Sequence, residues 1–154
     1  MTKGRIYQVQ EILDNEAWSY ERKGNDILLL ASYRTRKWKI VINCESESRI
    51  CCYSVFPWPI SENKLAEALR ALNELNLAQR TGCFMINSTD SRVVYRCGTQ
   101  ILDEFTSCDY IKYVLFSSVA SVTQAWDLIH SVACGAYGRK VSISGLKREK
   151  GNGK

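Results

Sequence analysis

A chain of 154 residues, 45% apolar and 24% charged, has the length of one domain and the composition of a folded, soluble protein; disordered and collagen-like polymers are excluded. The formal charge is +5, yet six basic residues (Arg139, Lys140, Lys147, Arg148, Lys150 and Lys154) face only Glu149 from Arg139 onward. Residues 1–138 therefore carry 15 charges of each sign, and the basic character belongs to a terminal segment rather than to the domain.

In chain order, Ile6, Val9, Leu13, Ala17 and Tyr20 recur at helical spacing, which predicts a first helix over residues 5–22 stopped by Gly24-Asn25-Asp26. Three strands follow: Ile27–Tyr33, nearly continuously apolar; Lys37–Cys44, with Trp38, Ile40, Ile42 and Cys44 alternating on one face; and Ile50–Phe56, apolar on both faces. Short polar connections make them an antiparallel meander, and Pro57 and Pro59 are expected to end the third strand. Ser61 reads as the N-cap of a second helix with Glu62 in its first turn and a stripe of Leu65, Leu69, Leu72 and Leu75. Gly82 marks the exit from it. Cys83–Asn87 and Arg92–Cys97 flank the turn Ser88-Thr89-Asp90-Ser91 as a hairpin. A third helix starts near Thr106, whose spacing to Asp109 fits a capping box. Its stripe of Ile111, Leu115, Val119, Val122, Trp126, Ile129 and Ala133 runs for about seven turns to Gly135, as one helix or two.

The predicted architecture is α+β: a five-stranded antiparallel sheet in the order α-β-β-β-α-β-β-α with helices packed on it. Residues 1–135 form the domain and residues 136–154 a flexible basic tail, with a short strand possible at Lys140–Ser144. As a solubilising segment the tail is unremarkable. Binding of nonspecific DNA through it would be strongly salt-dependent and would vanish on deletion of residues 139–154.

Seven cysteines, an odd number, with no Cys-x-x-Cys and no zinc-ligand spacing, predict reduced thiols in a cytoplasmic protein. The N-terminus reads without a secretion signal, and the longest uncharged stretch, Tyr113 to Trp126, is too short and too serine-rich to span a bilayer.

Four short motifs carry a family resemblance. Leu72-Asn73-x-x-Asn76, Gly82-x-Phe84, Val93-x-Tyr95-Arg96 and Ala125-Trp126-Asp127 resemble, in this order and spacing, the YbjN-like bacterial family. The resemblance covers residues 5–135. It implies the fold of type III secretion chaperones, which are small, dimeric and cytosolic, and a role in holding a partner protein or regulating it rather than catalysis. On physical grounds Asn73 and Asn76 are expected to hydrogen-bond the backbone that leaves the helix. Gly82 is expected to take a conformation closed to side chains, and Trp126 to plug the core with its indole N–H on a carbonyl.

Catalytic groups are sparse. One histidine excludes two-histidine metal motifs, and there is neither a phosphate loop nor a nucleophile elbow. His130 and Cys134, four apart on a helix, are the one arrangement resembling an activated thiol, but no orienting group accompanies them, and a histidine near a helix C-terminus is the simpler reading. No catalytic residue, metal or cofactor is predicted. The apolar residues on both faces of the third strand and of the hairpin point instead to protein binding, as a homodimer or with a client. Cys51, Tyr53, Val55, Trp58 and Met85 are the candidate contact residues.

Overall fold

The computed structural model describes residues 4–101 and 108–135. The chain runs through α1 (Arg5–Asn15), β1 (Glu21–Lys23), β2 (Asp26–Tyr33), β3 (Arg36–Ser46), β4 (Arg49–Pro59), a 3-10 turn (Glu62–Lys64), α2 (Leu65–Leu77), β5 (Gly82–Ile86), β6 (Arg92–Gln100) and α3 (Cys108–Cys134). One antiparallel sheet takes the order β1-β2-β3-β4-β6-β5. The α+β class and the antiparallel sheet agree with the sequence reading. The strand count does not: six strands are present among the described residues, five were expected. The tail and the start of the last helix near Thr106 lie outside the described residues.

The additional strand is cut from the predicted first helix. Glu16 ends α1 by bonding its N–H to Ile12 O, and Ala17 adopts φ 57°, a left-handed conformation that redirects the chain. Glu21–Lys23 then folds onto Asp26–Leu28 through a turn at Gly24, φ 62°. Tyr20 continues the helical spacing in the sequence but hydrogen-bonds Asp14 from outside the helix.

Three further expectations are revised. Strand β4 passes through Pro57 to Pro59, because the register shifts between Val55 and Pro59 and relieves the prolines of ladder duty. Ser61 precedes a 3-10 turn and gives its hydroxyl to Asn63 Oδ1 instead of capping a helix. Along α2 the buried residues are Ala68, Ala71, Leu72 and Leu75, whereas Leu65 and Leu69 are exposed. The stripe is thus rotated toward small residues, which let the helix sit close to β5.

All three helices cover one face of the sheet. Alternate residues Ile27, Leu29 and Ala31 of β2, Trp38, Ile40 and Ile42 of β3, Ile50, Cys52 and Phe56 of β4, and Val93, Tyr95 and Cys97 of β6 are buried against them in one continuous core. Helix α3 is a single piece of 27 residues closed by Gly135 at φ 86°. Trp126 does occupy the centre of the core, within 5.6 Å of Trp38 and Phe56 and 4.8 Å of Trp58, ring centre to ring centre. Arg36 pins this helix to the β2–β3 hairpin through both carboxylate oxygens of Asp127 and through Thr123 O at 2.9 Å. The buried hydroxyls of Ser54 and Ser118 meet at 3.5 Å between sheet and helix.

Asn76 makes the clasp expected of it. Its side-chain NH2 donates to Phe84 O at 2.9 Å, and its Oδ1 accepts from Phe84 N at 2.6 Å, so one amide replaces a neighbouring strand along β5. Asn73, by contrast, is exposed. Gly82 is required for a different reason from the one anticipated. Its φ is not in the left-handed region; a Cβ there would lie 2.5 Å from Arg96 O and 2.6 Å from the Tyr95 hydroxyl. Close approach of β5 to β6, not an unusual backbone conformation, demands glycine.

Candidate functional site

Among the described residues, the opposite face of the sheet carries no helix. In register across the strands, one row reads Leu28, Val41, Tyr53, Arg96, Cys83, and the next reads Leu30, Lys39, Val55, Val94, Met85. Sheet alternation forces this: the chain neighbours of each core residue point the other way. Leu28, Val41, Tyr53, Val55 and Met85 are half-buried on this face, and Leu30 is 67% exposed. Cys51 and Val94 are buried on this side without belonging to the helix-covered core.

Four of the five predicted contact residues, Cys51, Tyr53, Val55 and Met85, thus share this face. Trp58 does not join them. Alternation from Phe56 along β4 puts it on the helix side, where its ring meets Trp126 and stands edge-on to His130 at 4.6 Å. The sequence reading missed Leu28, Leu30 and Val41. The continuously apolar run of β2 was the signal for the first two, since a strand covered on one face only would have alternated.

Charged groups on this face are mixed at the β1 end, where Glu21 stands beside Leu28 and pairs with Lys23, and basic toward its centre. The Arg96 guanidinium lies against Cys51 and the Tyr53 hydroxyl, contacts that hold it still more firmly protonated, while burial pushes the Tyr53 hydroxyl up. Gly98 stands beside them, and a Cβ there would come within 3.1 Å of Cys51 Sγ. The resulting notch is lined by Arg49, Cys51, Cys83, Arg96 and Gly98 with no acid among its walls. Lys37 and Lys39 add charge toward β2, where Asp26 is engaged by the Asn43 amide at 2.7 Å.

The other chemistry resolves into packing. His130 and Cys134 are both exposed, and the imidazole rests on Trp58; no hydrogen bond joins the two among the described residues. No group of three His, Cys, Asp or Glu side chains able to hold a metal occurs among the described residues. Nor is any described helix long and apolar enough to cross a membrane. All seven thiols are free. Burial pushes Cys52 up to about 12 and Cys44 to about 11, and it also raises Cys97. A thiol raised in the fold favours folding fully below its unfolded value near 9, and that contribution is lost as pH rises toward the folded value. Thermal stability is therefore expected to fall across pH 9–12. At neutral pH a chromogenic disulfide reagent should titrate Cys108 and Cys134 promptly and the buried thiols only on denaturation.

No curated protein matches the sequence. Among solved structures, the fold is similar to that of YbjN from E. coli, described as "a putative transcription regulator", at a TM-score of 0.67 and 10% identity, covering 88% of this chain and 96% of that one. At that identity the likeness is one of fold. The sequence profile of the YbjN family, described as "Putative bacterial sensory transduction regulator", matches residues 6–125, which is most of the domain, and the chain belongs to the YbjN family.

Proposed function

We propose that this protein is a regulator that acts by binding protein, without catalysis, and that its helix-free sheet face is the working surface. The observation carrying this reading is the one-sided placement of the described helices, which leaves Leu28, Val41, Tyr53, Val55 and Met85 half-buried with none of those helices over them. An apolar face of this kind on a folded domain is a recurrent mark of association. The basic rim of Lys39, Arg49 and Arg96 gives the association an electrostatic preference for acidic surfaces. The family's description as a regulator agrees with a protein that works through a partner.

A homodimer is the simplest such association and belongs to the proposal, as does a cytoplasmic setting for reduced thiols. Light scattering at micromolar concentration tests it together with binding of an apolar dye. The expected result is a dimer that Val55→Asp converts to monomer, or a dye-binding monomer whose signal Val55→Asp abolishes. A strict monomer that binds no dye overturns the reading.

A further inference from the structure

The two edges of the sheet are finished differently. At β5 the outward N–H and C=O of Phe84 are both taken by Asn76. At the opposite edge, β1 pairs with β2 only from Glu21↔Leu28 to Lys23↔Asp26, although β2 continues to Tyr33. Tight hairpins close on the pairs Lys23↔Asp26 and Tyr33↔Arg36. Antiparallel alternation then turns the main-chain groups of Ile27, Leu29, Ala31 and Tyr33 toward β3 and those of Asp26, Leu28, Leu30 and Ser32 outward. Strand β1 serves Asp26 and Leu28. Leu30 and Ser32 are exposed and have no strand beside them among the described residues.

This stretch of edge borders a cleft of about 330 Å3 on the helix side, walled by Trp18, Ala31, Trp38 and Val119. On the other side Lys39 lies in register with Leu30, and Lys37 with Ser32. We propose that the Leu30–Ser32 edge is the docking site for an extended segment of another protein, alternating apolar and acidic residues, which adds to the sheet as a further strand. Strand addition would supply the outward N–H and C=O groups with partners. The incoming residue opposite Ala31 points to the helix side and enters the cleft. Its neighbours point to the other side, where Lys37 and Lys39 select carboxylates. A second copy offered to this edge would bring the same lysines onto one face, and the basic segment beyond residue 138 would meet the same repulsion.

The site shares Leu30 and Lys39 with the margin of the open sheet face but takes its partner along the strand edge, and its test is arranged to keep the two readings apart. A fluorescein-labelled peptide Glu-Val-Glu-Val-Glu-Val-Glu is titrated into the full chain and followed by anisotropy. The expected result is saturable binding, weakened about tenfold or more when lysine replaces glutamate in the peptide or when Lys37→Glu and Lys39→Glu are combined. Leu30→Pro removes an outward N–H without breaking a bond to β3 and is expected to act likewise. Val119→Trp, which fills the cleft, is a second route to the same loss. Circular dichroism checks that each variant folds, and the surface lysine pair keeps the test decisive if the other two do not. Met85→Asp, on the same open face but three strands away from Lys39, leaves this binding unchanged even if it abolishes association through that face. Absence of saturable binding, equal binding of a scrambled peptide of the same composition, or self-association at this edge that the peptide does not displace overturns the proposal.

Discussion

Trp126→Ala is expected to destabilise the fold by about 3–5 kcal/mol, the largest effect of any single truncation in the core. The side chain is 8% exposed and touches rings from β3 and β4 at once: Trp38, Phe56 and Trp58. Removing it opens a cavity that three other aromatic rings, held on β3 and β4, are poorly placed to fill. The indole also carries α3 onto the sheet, so its loss loosens the longest helix along with the core. Urea denaturation of Trp126→Ala and Trp126→Phe measures this. The phenylalanine variant should recover much of the difference, because it keeps a ring against Phe56. A loss below about 1.5 kcal/mol in the alanine variant would show that the cluster repacks freely.

Asn76→Leu is expected to cost about 2–4 kcal/mol despite the better helix propensity of leucine. The substitution strips partners from a main-chain donor and a main-chain acceptor of Phe84, a residue that is itself 3% exposed. Propensity is worth tenths of a kcal/mol here, and two orphaned backbone groups outweigh it several-fold. Asn76→Asp is the sharper control. It keeps an acceptor for Phe84 N–H but sets a carboxylate against Phe84 O, so it should be no better than leucine. Hydrogen exchange at the Phe84 amide gives the local reading: protection there should collapse in both variants while β3 and β4 stay protected.

The meander, the hairpin and the long helix were legible from periodicity because each buries one face and so writes its repeat into the sequence. Where the chain departs from that repeat, reading fails for identifiable reasons. Tyr20 and Ala17 extended a helical spacing that a left-handed residue had already interrupted, and nothing in an alanine announces φ 57°. Leu65 and Leu69 looked like core because leucine usually is; in the fold their helix turns alanines inward. Pro57 looked like a strand end because a bulge that excuses it leaves no mark in composition. Of the candidate surface, Cys51, Tyr53, Val55 and Met85 were found because apolar residues on both faces of one strand need two covers. Trp58 was misplaced because the strand was expected to end at Pro57; continued to Pro59, it carries Trp58 on the same side as Phe56.

The Asn76 clasp has a bearing on how far this sheet can grow. Two unsatisfied edges would let identical units join end to end without limit, each addition exposing a fresh place for the next. With the outward groups of Phe84 taken by the chain's own amide, an incoming strand at the β5 side would have to displace Asn76 before it could pair at the middle of that edge. One asparagine thus biases any growth of the sheet toward the Leu30–Ser32 side and away from end-to-end stacking through both edges.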